Sequence, residues 1–110
     1  MRVLEDMLNE ILEELKIELS DEDLNEDMLS SKVKSAYREV KLLRKYPSHY
    51  SDEKITSDME QYFNHIKNIA LYDYLKIGAE GEKLHNENGI NREYSDRSTL
   101  FRGIVSIVRI

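Results

Sequence analysis

Between Leu4 and Leu15 the apolar residues Leu4, Met7, Leu8, Ile11, Leu12 and Leu15 recur at spacings of one, three and four, which gathers them on one side of an α-helix. The other side carries Glu5, Asp6, Glu10, Glu13 and Glu14, offset only by Lys16, so residues 1–19 read as an acidic amphipathic helix. A short Asp- and Asn-rich connection follows. A second helix is predicted over residues 25–46, with Leu29, Val33, Ala36, Tyr37, Val40 and Leu43 on its inner stripe. Arg44 and Lys45 supply positive charge where the last turn presents its carbonyls. Tyr46-Pro47 closes it, because the residue before a proline is pushed out of the helical region.

Ser51 is a suitable N-cap for a third helix, with Asp52 and Glu53 in its first turn. Ile55, Met59, Tyr62, Phe63, Ile66, Ile69, Ala70, Tyr74 and Ile77 trace an apolar stripe, so residues 51–77 are expected to form one long helix, a rod of roughly 39 Å over residues 52–77, ended by a left-handed cap at Gly78. Residues 78–95 hold three of the four glycines and an Asn-rich patch, which predicts a long loop, either ordered by a partner or unstructured. Residues 96–110 begin with a short helix capped by Asp96 or Ser98 and end in an apolar tail. The tail's β-branched residues favour an extended strand, while Leu100, Phe101, Ile104, Val105 and Val108 also suit a helical face. The expectation is an all-α fold: one domain over residues 1–110, a small bundle of about four helices with a long central helix, the 78–95 loop and a short C-terminal helix or extended tail.

Composition narrows the function. Apolar residues make up 40% and charged residues 35% of the 110, so the core is thin and helix faces are left for water or partners. There is no cysteine, which excludes a disulfide framework and thiolate chemistry. No apolar run approaches the roughly 20 residues a membrane helix needs, and the acidic start lacks the pattern of a signal peptide. The chain is expected to be soluble and intracellular when made, with no membrane partner. Residues 1–30 hold 11 acids and 2 bases, whereas residues 31–110 hold 11 acids and 14 bases, so a net −9 is followed by a net +3. Neither part reads as a DNA footprint.

The sequence carries no recognisable catalytic or metal-binding pattern. His49, His65 and His85 form no i, i+4 pair for zinc. Asp21, Asp23 and Asn25 imitate the start of a calcium loop, but Glu26 and Lys32 stand where glycine and glutamate are needed. No glycine-rich phosphate cradle or nucleophile elbow occurs, and His85-Asn86-Glu87-Asn88 lacks companions for nuclease chemistry. The chain is expected to be no enzyme and to need no cofactor. Seven tyrosines remain: Tyr37, Tyr62 and Tyr74 fit the core stripes, while Tyr46, Tyr50, Tyr72 and Tyr94 fall at turns or off the stripes, as interface tyrosines often do.

Several stretches, in order, resemble the head-tail connector (adaptor) family of tailed bacteriophages. They are Tyr46-Pro47-x-x-Tyr50-Ser51-Asp52-Glu53, Asn68-Ile69-Ala70-Leu71-Tyr72-Asp73-Tyr74, Ile77-Gly78-Ala79-Glu80-Gly81, Asn86-Glu87-Asn88-Gly89 and Tyr94-x-x-Arg97-x-x-Leu100-Phe101. The resemblance covers roughly residues 25–105, and the acidic first helix is its least family-like part. It implies a structural virion protein that assembles, typically as twelve copies, into a homo-oligomeric ring under the portal protein. Such a ring extends the DNA channel without binding DNA specifically and receives a stopper or tail-completion protein. The location implied is the head-tail interface of the virion, after assembly in the host cytoplasm. The candidate portal and ring contacts are Tyr72, Tyr94, Arg97, Leu100, Phe101, Ile104, Val105 and Ile107, with residues 78–95 reaching to a neighbouring subunit. The competing reading is a small cytosolic helical interaction or regulatory module that dimerises through its first two helices.

Overall fold

The computed structural model describes residues 3–20, 23–81 and 97–107. Helix α1 spans Leu4–Leu19, α2 Glu26–Arg44, α3 Asp52–Met59 and α4 Phe63–Gly81. A 3-10 turn at Glu60–Tyr62 joins α3 to α4, and a second 3-10 turn occupies Arg97–Phe101. All regular elements among the described residues are helical, as the apolar periodicity predicts.

The helix ends follow local chemistry. The Asn25 side chain accepts the Met28 N–H at 3.0 Å and starts α2, and Ser51 Oγ accepts the Lys54 N–H at 3.1 Å and starts α3. Two helices end on non-glycine residues in the left-handed region, Ser20 after α1 (φ 44°) and Lys45 after α2 (φ 54°). Ser20 secures its end by donating its N–H to Lys16 O at 3.0 Å and its hydroxyl to Ile17 O at 2.6 Å.

Helix α4 lies at the centre, packed against α2, α1 and the Arg97–Phe101 turn. Met7, Ile11 and Leu15 of α1, Leu29, Val33, Ala36 and Val40 of α2, and Ile66, Ile69 and Ala70 of α4 close the core. Because α4 has neighbours on three sides, one stripe does not account for its buried surface. Tyr72, expected off the stripe, is only 8% exposed, whereas Ile77, expected on it, faces solvent.

The expected single rod over 51–77 is broken. The Phe63 N–H bonds back to Glu60 O, so the ladder tightens to i→i+3 across Glu60–Tyr62. Thr56, Met59 and Tyr62 are all buried at successive spacings of three, the register in which a 3-10 turn stacks side chains. Asp58 sits at this break with its carboxylate committed to Arg44 and Tyr46, and its carbonyl and carboxylate both receive the Gln61 amide, each at 3.0 Å. Gly78 does not end the helix either, since α4 runs on to Gly81. The rest of the expected loop, residues 82–95, lies outside the described residues.

Ion pairs sew α1 to the bundle. Lys67 of α4 donates to Glu14 at 3.1 Å and Glu18 at 2.6 Å, and Lys16 reaches Glu26 at the start of α2 at 2.8 Å. The acidic helix is therefore offset by Lys67 as well as by Lys16. Apolar anchoring still dominates, because Met7, Ile11 and Leu15 are completely buried while these pairs are partly solvated. Ile11→Ala is expected to lower unfolding free energy by about 2–4 kcal/mol in a urea titration, and Glu18→Gln by less than about 1 kcal/mol.

Candidate assembly surface

The stripe on α2 continues from Val40 by four residues to Arg44, not by three to Leu43. Arg44 is accordingly only 7% exposed and Leu43 is 43% exposed, the reverse of the sequence expectation. A guanidinium placed there needs acceptors for its donors. Arg44 Nε and Nη2 donate to Asp58 Oδ2 at 3.0 and 2.8 Å, and Nη1 donates to the Val105 carbonyl at 2.9 Å. The Tyr46 hydroxyl donates to the same Asp58 oxygen. The Arg44 Cζ atom stands 5.6 Å from the Tyr46 ring centroid and 5.2 Å from that of Tyr62. Burial draws the Arg44 pKa down, but Tyr46 and Asp58 outweigh it and the net shift is upward.

This cluster holds the C-terminal segment. The Ile107 N–H donates to the Arg44 carbonyl at 2.7 Å, so one residue grips the tail through both its side chain and its backbone. Upstream, His65 Nε2 bonds the Arg102 carbonyl at 2.7 Å, and Gly103 turns the chain at φ 89°, a conformation that favours glycine. Residues 104–107 form neither strand nor helix; Val105 O and the Ile107 N–H bond to Arg44, and the Ile104 N–H meets Phe101 O in the turn behind them at 3.2 Å.

Arg97 anchors the start of the segment. Its Nε and Nη2 donate to the two Asp73 oxygens, each at 2.8 Å, while Nη1 and Nη2 reach Glu39. Asp73 first and Glu39 second raise the Arg97 pKa, and its guanidinium lies 5.2 Å from the Phe101 ring. Helices α2 and α4 are thus bridged through one arginine.

Of the candidate residues, Arg97, Leu100, Phe101, Ile104, Val105 and Ile107 share this segment. Leu100, Phe101 and Ile104 pack partly against the core of their own chain, and Val105 is 50% exposed. Tyr72 is buried in the bundle, while Tyr94 lies outside the described residues. Sequence reasoning missed Leu42, which is 75% exposed and forms a ridge between two shallow grooves. One groove runs past Leu43, Arg97 and Phe101, and the other past Lys45, Tyr46 and Tyr50. Adjacent leucines at 42 and 43 were the available signal, since both cannot share the inner stripe with Arg44. Among the described residues, no three His, Asp or Glu side chains gather to hold a metal, and no helix is long and apolar enough to cross a membrane. No protein family, curated protein or solved structure matches the chain.

Arg44→Ala would remove the cation from beside the part-buried Asp58 carboxylate and free the tail. It is expected to cost about 2–4 kcal/mol in denaturant unfolding and to speed proteolysis within residues 102–107. Burial, and then donation to Asp58, raise the Tyr46 pKa, with Arg44 acting in the opposite direction. The native state therefore holds this proton more tightly than the unfolded chain. The associated stability is fully present below about pH 10 and is lost as pH rises toward the folded value. Tyr46→Phe is expected to lose about 1 kcal/mol at neutral pH and to weaken less steeply than wild type in alkaline denaturation curves.

Proposed function

We propose that this chain is a structural subunit of a tailed-bacteriophage head-tail connector, assembling as a ring beneath the portal, extending the DNA channel and receiving a stopper or tail-completion protein. The observation that carries this reading is the meeting of two separated stretches of the resemblance. Asp73 of the Asn68–Tyr74 stretch grips Arg97 of the Tyr94–Phe101 stretch, and Phe101 lies beside that arginine. The stretches that carry the likeness thus depend on one another in the folded chain.

Exposed apolar surface beside the same contact supports the reading. Leu42, Leu43 and Val105 stay in solvent although the bundle has a core to bury them, which suits a subunit completed by neighbours. A ring needs only one contact repeated until it closes. The helices would form its wall, and the strapped C-terminal segment would present Val105 to the portal.

Negative-stain images of the purified chain, alone and mixed with a purified portal, test the proposal: a second ring stacked on the portal is expected. Val105→Asp changes an exposed side chain and leaves its carbonyl for Arg44, so stability should stay within about 0.5 kcal/mol while portal binding falls. Chains that remain solitary and never decorate the portal would refute the connector role, and undiminished decoration by the variant would remove Val105 from the contact.

A further inference from the structure

The outer faces of α1 and α2 carry opposite charges in the same register. Asp6, Glu10 and Glu13 follow one another at spacings of four and three on the solvent side of α1, and Lys34, Arg38 and Lys41 do so on the solvent side of α2. All six side chains are exposed. None of the three cations has an ion pair among the described residues, while in the acidic row Glu13 also meets Lys16 of its own helix at 3.3 Å and stays exposed. Each row spans seven residue steps, roughly 10 Å of helix.

Each row also carries a protruding apolar residue toward its C-terminal end. Ile17, one turn beyond Glu13, is 73% exposed, and Leu42, beside Lys41, is 75% exposed; they are the two most exposed large apolar side chains among the described residues. With the charged rows in register and the helices parallel, Ile17 and Leu42 are offset by three positions, roughly 4.5 Å, within side-chain reach.

We infer that the basic face of α2 is the docking surface for the acidic face of α1 of a second copy of this chain. Asp6, Glu10 and Glu13 of one copy meet Lys34, Arg38 and Lys41 of the next, and Ile17 packs beside Leu42. The inference rests on the reading that copies assemble, and it names the contact they use. The two faces differ, so the contact is heterologous: every copy offers one of each, and repetition closes a ring or extends a filament. A nucleic acid suits the basic row less well. Three cations neutralise few phosphates, the chain as a whole carries −6, and the matching anions are supplied by the chain itself.

The sign of the salt effect separates this contact from general repulsion. Mutual repulsion of acidic copies would be relieved by salt, whereas opposite charges across an interface are weakened by it. Self-association measured by sedimentation is expected to fall as salt rises. Glu10→Lys with Glu13→Lys, or Arg38→Glu with Lys41→Glu, should each weaken self-association on the order of 100-fold, because like charges then face each other. An equimolar mixture of the two variants should assemble again, since each restores the complement of the other, and a chain carrying all four substitutions should assemble alone. Circular dichroism checks that every variant keeps its helices.

Assembly of the wild type with no loss in either variant overturns this contact and leaves the connector reading intact. A mixture that fails to recover, or a wild type that stays monomeric at low salt, also overturns it, while the connector reading is decided separately by the portal mixture. Retention of a labelled DNA duplex by the wild type, lost on Arg38→Glu with Lys41→Glu while self-association persists, would make the row a phosphate-binding face and overturn the inference.

Discussion

A buried guanidinium destabilises a fold unless its donors find acceptors, and one end of this molecule is arranged around that requirement at Arg44. Asp58 takes two of its N–H groups, Val105 O takes a third, and its guanidinium carbon lies over the rings of Tyr46 and Tyr62. These partners come from three stretches: the loop after α2, the α3 and 3-10 region, and the C-terminal tail. An apolar side chain at position 44 would pack α2 equally well but would leave the tail without its anchor. The ion pair therefore contributes geometry more than net stability.

The break between α3 and α4 belongs to the same arrangement. Asp58 must present its carboxylate to α2 while Met59 and Tyr62 stay in the core, and tightening the next turn to i→i+3 permits both. Beyond it, α4 resumes ordinary α-geometry as the central helix. Its position among α1, α2 and the Arg97 turn explains why it is apolar over a wide arc, while α1 and α2, each with one open side, carry most of their charge outward.

The helices, their starts at Asn25 and Ser51, and the end of α2 before Tyr46-Pro47 were legible in the sequence because each is set by neighbours a few positions away. What was hidden depends on distant partners. Arg44 looked like a dipole-compensating charge because Asp58, fourteen positions on, has no fixed sequence relation to it. Arg97 was singled out by resemblance, but its partners Glu39 and Asp73 were not, since they come from separate helices. The 3-10 turn left a faint trace in the spacing of Thr56, Met59 and Tyr62, which an unbroken 3.6-residue repeat absorbs without visible strain. The tail resisted classification for a physical reason: its apolar residues suit strand and helix alike, and its path is decided by bonds to Arg44.

The uneven distribution of charge along the chain is partly resolved within one molecule. Lys67 pairs with Glu14 and Glu18, and Lys16 pairs with Glu26 and with Glu13 of the outer row, so the acids nearest the bundle have partners. The acids on the far side of α1 and the cations on the far side of α2 point away from the core on different helices. Folding therefore leaves two rows of opposite charge exposed on different helices. Under the inferred contact a second molecule meets one row and, because the rows lie on different faces, offers its other row to a third. Charge that looks like plain solubility in the composition becomes, once the helices are packed, a directional feature of the surface.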